Sequence, residues 1–431
     1  MTQHPRSRIF PGWWVVAGAF VCMMTGYAVA YSFAAFFGSL ETEFGAQRGD
    51  TSLVFSIAAF LYFLLGLPAG LIADRLGPRP VVAGGLLIIA IGLVIASQAT
   101  ALWQVYIGYS LGVGLGVGFS YVPSVAAVQR WFVRGRGTAS GIAVAGIGVG
   151  TLVGAPLAHE LIGLVGWRQT YLMLAVLTAA GAIVAVVLIR RAPQHYGLAP
   201  DGDPPRAMGN TIAAGLTLGE AVRSRPFWMI YVGAMLMSFG LFVPFAHLVP
   251  YARDHGLGER FGVTLIVLLG VGSTVGRFLF ASITNWLGRR LSFAMMYVGS
   301  GIMLIVWSQS TSVPALITFA LLFGAFYGGF VAIAPSLAAD YFGGRALGSV
   351  IGALYSGVAF GSLLGSPVAG YVYDFFGSYT GAILVGAVLC FISFALTLFM
   401  PEPSPWLALR QAPSPATAAS HASLPRTSRA G

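Results

Sequence analysis

Residues 66–79, GLPAGLIADRLGPR, end one long apolar block and begin the next, and residues 277–290, RFLFASITNWLGRR, do the same later in the chain. The two stretches align at a constant offset of 211, which places Gly77 over Gly288. A turn that recurs between the same kinds of blocks indicates that the chain contains two copies of one structural unit.

The apolar blocks themselves indicate a membrane protein. Apolar residues make up 57% of the 431 residues and charged residues 8%, whereas soluble domains carry about 25% charged residues. A bilayer core about 30 Å thick needs about 20 helical residues, and in lipid only helices or closed barrels satisfy the backbone. The blocks do not alternate as barrel strands would, so we expect an all-α membrane protein with twelve transmembrane helices: α1 (13–38), α2 (52–73), α3 (80–99), α4 (103–127), α5 (137–159), α6 (167–189), α7 (226–251), α8 (261–284), α9 (291–308), α10 (312–338), α11 (347–373) and α12 (378–400).

The domain organisation follows from the longest hydrophilic stretch between blocks, 190–225, which divides six helices from six. A second repeated pair, 123–141 and 335–349, supports two six-helix pseudo-repeats in the same orientation. Such repeats place a substrate site between the halves, near the bilayer midplane. We therefore predict four segments: an N-terminal bundle (1–190), a cytoplasmic linker (191–225), a C-terminal bundle (226–400) and a disordered cytoplasmic tail (401–431).

All 23 basic residues are arginine, and their distribution predicts the orientation. With both termini inside, 18 arginines lie on the cytoplasmic side, and four, Arg48, Arg168, Arg253 and Arg260, lie outside. The positive-inside rule then predicts a multi-pass protein of the plasma or inner membrane with cytoplasmic termini. The net charge of +10 is a topology signal, because the arginines are scattered over short loops without interleaved aromatics. We expect no nucleic-acid partner.

Three helices carry glycine at every fourth position, which makes one smooth helix face. The stripes are Gly108/Gly112/Gly116 in α4, Gly146/Gly150/Gly154 in α5 and Gly357/Gly361/Gly365 in α11. We interpret them as sliding surfaces between the halves, with static packing as the alternative. Cys22 and Cys390 lie inside α1 and α12 and are expected to be small apolar fillers rather than a disulfide.

The turn after α2 has the pattern G-x-x-x-D-R-x-G-P-R, formed by Gly70, Asp74, Arg75, Gly77 and Arg79. It resembles the signature of the major facilitator superfamily between helices 2 and 3. Asp74 could face a helix N-terminus or an arginine when the inner side is closed. The alternative is an ordinary cytoplasmic turn. The second copy keeps the glycine as Gly288, followed by Arg289, but has Asn285 in place of the aspartate, which predicts a weaker charged contact.

A narrower resemblance rests on WFVRGRGTASGIAVAGIGVG (131–150) and VGRFLFASITNWLGRR (275–290), with HLVPYARDHG (247–256) and GLAPDGD (197–203) in support. These stretches look like the monocarboxylate transporter group and its relatives, the oxalate:formate antiporters. With the twelve-helix plan, the resemblance covers the chain from about residue 10 to 400 and implies a carrier of small carboxylate anions.

Arg277 is the only charged residue that we place inside any predicted helix. An arginine does not lose its proton, and burying one without a partner is costly. No acidic residue shares its depth, so we infer a hydrated central cavity in which a substrate carboxylate becomes the partner of its guanidinium. The alternative is an arginine that reaches toward the inner surface and binds backbone carbonyls. The resemblance favours the first interpretation, since in that family an arginine at the matching place binds the substrate carboxylate.

The sequence also departs from the family. The oxalate:formate antiporters have a lysine in helix 11, whereas residues 354–367 carry no charge, which disfavours a dicarboxylate. Animal monocarboxylate carriers have a lysine in helix 1 and an aspartate one turn before the arginine. Here α1 offers Tyr27 and Tyr31, and Ser273 stands one turn before Arg277. Proton coupling by the family's pair is therefore in doubt.

The remaining site candidates are uncharged. Tyrosines in the cavity-lining helices, Tyr27, Tyr31, Tyr121, Tyr327 and Tyr355, offer hydroxyls on apolar rings, with packing or interfacial anchoring as the alternative for each. His247 in α7 is a proton-coupling candidate. A hydrogen-bonded polar group near the outer gate is an equal alternative for it.

We therefore predict a secondary active transporter of a monocarboxylate that works by alternating access, coupled to protons or to anion exchange. We expect a monomer in the lipid bilayer, with a carboxylate substrate and protons as partners, and with no cofactor, no metal and no catalytic residue. A drug or sugar carrier is the main alternative. A membrane enzyme is disfavoured because the histidines show no ligand spacing, while a non-transporting sensor on the same fold stays open.

Overall fold

A computed structural model describes residues 10–132, 135–202, 215–343 and 345–402; within them the side chains of Asp74, Arg136 and Asn285 are not described. These residues form helices joined by short turns, and they contain no β-strand apart from one isolated bridge between Gly215 and Gly343. The all-α fold expected from the apolar blocks is confirmed. The predicted tail lies almost wholly outside the described residues.

The helices run the length of the bundle, and several are bent or joined end to end. Their bounds are Gly12–Phe44 (α1), Arg48–Leu64 with Gly66–Leu76 (α2), Pro78–Ser97 (α3), Leu102–Trp131 (α4), Arg136–Leu188 (α5 and α6), Arg225–Leu241 with Val243–Asp254 (α7), Glu259–Gln309 (α8 and α9), Val313–Phe342 (α10), Leu347–Phe376 (α11) and Thr380–Leu398 (α12). A short helix, Leu218–Val222, precedes α7 on the linker.

The number of spans depends on how two breaks are counted. By length and composition, ten helices in the described part can cross a membrane, and the two pieces of α2, bent by 46°, make an eleventh. Arg136–Leu188 is one of the ten, although its backbone leaves helical geometry at Gly166 (φ 80°, ψ 163°). Residues 136–165 and 167–188 are each longer than the about 20 residues that a span needs. Counting these arms separately gives the expected twelve.

The helix ends gather at two faces. The termini face carries the turns around residues 77, 135, 288 and 345 together with the linker. The far face carries the turns around residues 46, 100, 166, 257, 311 and 378. The successive helices run in alternating directions between these faces, so each half has three helices in each direction.

The internal repeat is visible in the backbone. Gly77 (φ 87°, ψ 160°) and Gly288 (φ 74°, ψ 158°) share an extended conformation at positive φ that favours glycine. Two arginine contacts repeat at the same offset: Arg79 donates to the carbonyl of Ile189, and Arg290 donates to the carbonyl of Met400. Each arginine thus binds the end of the last helix of its own half.

The glycine stripes lie inside the halves, so their interpretation as sliding surfaces is wrong. A Cβ at Gly112 would lie 2.7 Å from Gly92 Cα of α3, and one at Gly150 would lie 2.4 Å from the Met24 carbonyl of α1. A Cβ at Gly361 would lie 2.1 Å from the Met235 carbonyl of α7. The stripes therefore give each bundle its close backbone packing. Cys22 and Cys390 are buried and free, as expected.

Different residues join the halves. In the α5–α8 contact, a Cβ at Gly148 would lie 2.0 Å from Thr274 Oγ1. In the α2–α11 contact, a Cβ at Gly370 would lie 2.6 Å from the backbone nitrogen of Gly49. These two seams, together with α1 against α7, enclose the central region that holds Arg277.

Candidate functional site

Six tyrosines from both halves form one group in the centre of the bundle. The ring of Tyr27 lies 5.9 Å from that of Tyr62 and 6.0 Å from that of Tyr121, both in edge-to-face geometry. The other half contributes rings from α10 and α11. We call this set the tyrosine cluster: Tyr27, Tyr31, Tyr62, Tyr121, Tyr327 and Tyr355. It brings together all five tyrosines singled out in the sequence.

Within the cluster, one hydrogen bond links the two halves directly. The hydroxyls of Tyr31 in α1 and Tyr327 in α10 lie 2.7 Å apart, and both side chains are buried. Phe245 of α7 stacks on the ring of Tyr31 with centroids 4.5 Å apart. These three rings bring α1, α7 and α10 into contact at the centre of the bundle.

Arg277 reaches from α8 across the seam between the halves. Its Nη1 donates to the carbonyl of Val144 in α5 at 2.7 Å, and the residue is 7% exposed. Its charge acts on the hydroxyls of Tyr121, Tyr327 and Tyr355, which places the guanidinium beside the tyrosine cluster. The hydrated cavity expected around Arg277 differs from this arrangement, because helix packing and the Val144 carbonyl enclose the side chain.

The remaining donors of Arg277 define what it can bind. Its Nε and Nη2 are buried and have no acceptor in the described part of the chain. These two N–H groups point in parallel from one edge of the guanidinium, the geometry that pairs with both oxygens of a carboxylate. Every ion pair between described residues lies toward a helix end, and none includes Arg277. The guanidinium thus presents a bidentate edge without an acidic partner.

Two further hydroxyls lie at this level: that of Tyr62, which was missed in the sequence, and that of Ser273, which was noted there only as a departure from the family. The Tyr62 hydroxyl lies beside that of Tyr31 but makes no hydrogen bond of ordinary geometry. Ser273, one turn before Arg277 in α8, also has a buried hydroxyl without a partner. For Tyr62, the available signal was a polar atom at mid-span in α2, at the depth of the tyrosines in α1.

His247 lies apart from Arg277, nearer the far face. Its Nε2 donates to the carbonyl of Ser366 at 2.8 Å, and its ring packs edge-on to Phe37 and beside Tyr379. The side chain is fully buried, and Nδ1 has no partner among the described residues. This position is close to the ionic contacts that hold the halves together at the far face.

Those contacts centre on Arg48, in the first turn of α2. Its guanidinium forms a bidentate pair with Asp254 of α7, with Nη2 donating to Oδ1 at 2.9 Å, while Nε donates to Glu41 at 3.1 Å. It also donates to the hydroxyl of Tyr379 at 2.7 Å and lies 3.8 Å from the ring centroid of Tyr373. We call these five residues, with Arg253, the far-face cluster. In the sequence, Arg48 and Arg253 were counted only as arginines on the outer side, and their contacts were not foreseen.

A second polar contact joins the halves beside the far-face cluster. Asp374, at the end of α11, accepts hydrogen bonds from the backbone nitrogens of Arg48 and Gly49 at 3.1 and 3.0 Å. These are orphan donors at the start of α2, and a carboxylate there is also favoured by the helix dipole. Asp374 of the C-terminal half therefore caps a helix of the N-terminal half.

At the termini face, the described polar contacts of the repeated turns stay within one half. Arg289 pairs with Asp340 of α10, and Arg75 is exposed. A Cβ at Gly70 would meet only a side-chain methyl of Val122, at 3.5 Å, so Gly70 does not provide a close backbone approach. The side chains of Asp74 and Asn285 lie outside the described part.

Most of the chain is similar to known transporters. The family model of the Major Facilitator Superfamily matches residues 16–311 and 270–427. Monocarboxylate transporter 12 of Rattus norvegicus is 28% identical over 413 residues, covering 89% of this chain and 84% of the relative. Monocarboxylate transporter 13 of Bos taurus is 26% identical over 402 residues, covering 91% and 89%.

A solved structure supports the fold. A bacterial homolog of the human lysosomal transporter Spinster, in an inward-facing and unoccupied conformation, superposes with a TM-score of 0.70 at 15% identity, covering 94% of this chain and 99% of that one. The family match and the transporter-named relatives indicate a carrier rather than an enzyme. This chain is a multi-pass membrane carrier that belongs to the Major Facilitator Superfamily and resembles its monocarboxylate transporters.

Proposed function

We propose that this carrier moves a small monocarboxylate anion across the membrane, with Arg277 as the anchor for the carboxylate. The observation that carries the proposal is the Nε–Nη2 edge of Arg277, which is buried beside the tyrosine cluster without an acidic partner in the described chain. Relatives of similar length are named monocarboxylate transporters, which supports the same class of substrate.

The surroundings of Arg277 favour one carboxylate on a small organic body. The rings of Tyr121 and Tyr355 offer apolar surface, and their hydroxyls make no hydrogen bond within the described chain, so they are free to bind polar atoms of the acid. A second carboxylate would need a second cation, and α11 carries no charge between residues 354 and 367. A dicarboxylate is therefore a poor fit.

Transport by alternating access is supported by where the polar contacts between the halves lie. The arginine distribution assigns the far face to the outside and the termini face, with both termini, to the cytoplasm. Polar contacts between halves with both partners described lie at the far face or at the midplane, as in Arg48–Asp254 and Tyr31–Tyr327. We assign this arrangement to a carrier closed to the outside. Asp74, in the turn at the termini face, is proposed to act when the inner side closes.

Two coupling modes fit this carrier. Symport with a proton would let the substrate cross as a neutral acid, and exchange would return one anion for each anion carried. His247 is the histidine that could take part in the first mode, but its contacts also suit a structural role in the outer gate.

Substitution of Arg277 tests the anchor. Arg277→Gln is expected to abolish uptake of radiolabelled pyruvate and L-lactate into proteoliposomes, because the bidentate donor edge is lost. Arg277→Lys is expected to retain less than about a tenth of the activity, since an ammonium is a point charge without the planar fork. The same acids are expected to raise the melting temperature of the wild type but not of Arg277→Gln.

Arg260→Gln is the matched control, because Arg260 lies in the same helix but is 86% exposed in a long ion pair with Glu160. It should transport like the wild type. Full uptake by Arg277→Gln would refute the anchor assignment.

A further inference from the structure

The charge balance around Arg277 determines how transport can be coupled. No aspartate or glutamate occurs in the sequence between residues 75 and 159 or between residues 260 and 339. These ranges include α3, α4, nearly all of α5 and α8, and most of α10. The helices packed around Arg277 therefore supply no counter-charge at its depth.

The groups that do face Arg277 keep the site positive. They are the hydroxyls of Tyr121, Tyr327 and Tyr355 and the carbonyl of Val144, all neutral, with the hydroxyl of Ser273 one turn before it on its own helix. His247 is held at the far-face cluster by the Ser366 carbonyl. Because arginine keeps its proton, no group in this set can neutralise the empty site.

Because of this missing counter-charge, the loaded carrier and the empty carrier should change access at different rates. During a change of access, the site must pass through a state closed to both sides, in which water no longer solvates the guanidinium. A bound carboxylate compensates the charge, but an empty site buries it unpaired, which is costly in a membrane interior. The loaded carrier should therefore reorient quickly and the empty carrier slowly.

We infer that this carrier is an electroneutral exchanger that returns one monocarboxylate anion for each one that it transports. The inference rests on the proposed function, since it requires Arg277 to bind the carboxylate. It assigns the coupling to the missing counter-charge beside Arg277 rather than to a protonated side chain.

Uptake into proteoliposomes tests the exchange. The purified full-length chain is reconstituted, and entry of radiolabelled pyruvate and L-lactate is compared between vesicles preloaded with the same unlabelled acid and empty vesicles with an alkaline interior. We expect entry into preloaded vesicles to be at least about tenfold faster. Neither a protonophore nor a potassium-diffusion potential should change that rate.

The possible failures are distinguishable. Proton-driven entry into empty vesicles at the rate of exchange, still dependent on Arg277, would overturn the exchange mechanism and leave the proposed function intact. No entry into either kind of vesicle, with the wild type equal to Arg277→Gln, would overturn both.

Ser273→Asp tests the cause. Residues four apart share a helix face, so the new carboxylate can pair with Arg277 in the empty carrier and can take up a proton. Net proton-driven entry should appear, and the preference for preloaded vesicles should fall from about tenfold toward onefold. Ser273→Asn, similar in size but uncharged, should keep the preference. If folded Ser273→Asp remained a strict exchanger, the missing counter-charge would not be the cause.

Discussion

Arg277 occupies its buried position because one donor is satisfied there and the others can be satisfied by a ligand. The hydrogen bond to the Val144 carbonyl fixes the plane of the guanidinium and orients the Nε–Nη2 edge. A neutral carbonyl satisfies one donor and leaves the positive charge available. The same side chain can therefore hold the two halves together and bind an anion, without an acidic residue that would compete with the substrate.

The cluster hydroxyls allow a paired test of stability and binding. Tyr31→Phe leaves the buried Tyr327 hydroxyl unpaired and should lower stability by about 1–3 kcal/mol. Tyr62→Phe removes a hydroxyl that already lacks a hydrogen bond, so the melting temperature should stay the same or rise. Thermal unfolding in detergent checks both. Equal losses for the two variants would contradict the assigned hydrogen bonding.

His247 distinguishes the two coupling modes at the residue level. If exchange operates, His247→Gln should leave the pH dependence of pyruvate exchange unchanged between about pH 5 and 8, where an ordinary histidine titrates. The variant should still lose some thermal stability, because the imidazole packs against Phe37 and Tyr379. A flattened pH profile, with exchange otherwise intact, would instead support proton coupling through this side chain.

At the scale of the helices, sequence patterns predicted where the spans are better than what their faces touch. The apolar blocks locate all the helices, but α1 was expected to end at 38, whereas it continues to Phe44. The apolar block ends before Glu41, yet Glu41 remains helical, and Arg48 and Arg253 bind its carboxylate. The residue pattern of one apolar block does not show which residues on other helices its side chains will contact.

The glycine stripes illustrate the same limit. Their spacing predicts a close helix contact, and the contact exists, but the partner helix is in the same half. Likewise, the depth of Arg277 and the tyrosines could be read from their positions in the helices, so five of the six cluster members were found. The contacts of Arg277 with Val144 and of Arg48 with Asp254 could not be found, because each joins residues more than 130 positions apart.

Two glycines of one continuous helical segment give a matched test of packing. Gly150→Ala places a methyl group 2.4 Å from the Met24 carbonyl, a backbone atom that can move only with α1, and should destabilise the protein by at least about 1–3 kcal/mol. Gly163→Ala meets nothing within 4 Å and should stabilise by about 0.5–1 kcal/mol through better helix propensity. Thermal unfolding of both variants checks this difference in sign, and destabilisation by Gly163→Ala would contradict it.

For the whole molecule, the contacts at the far face determine which side of the carrier is closed. The start of α2 is bound to the C-terminal half in two ways: the Arg48 side chain pairs with Asp254, and the Arg48 backbone nitrogen donates to Asp374. The desolvated pair between Arg48 and Asp254 ties α2 to α7, while Asp374 holds α11 against the start of α2. Asp74 stands near the termini-face end of α2, and Asp374 stands near the far-face end of α11. We expect an aspartate near a helix end to help close each of the two faces in turn.

Removing the cap should therefore shift the carrier toward an outward-open state. In Asp374→Asn, the amide keeps one acceptor oxygen but loses the charge that favours the start of α2, so the closed far face should weaken by about 1–2 kcal/mol. Spin labels at Gly163→Cys in one half and Thr311→Cys in the other, both exposed at the far face, would report the separation by pulsed electron resonance. The native cysteines are buried and should label poorly. Longer distances should gain population in Asp374→Asn but not in Glu43→Gln, which breaks a half-exposed ion pair with Arg168 inside one half. If both variants gave the wild-type distance distribution, Asp374 would not hold the far face closed, and the closure would rest on Arg48 and the packing of α2 against α11.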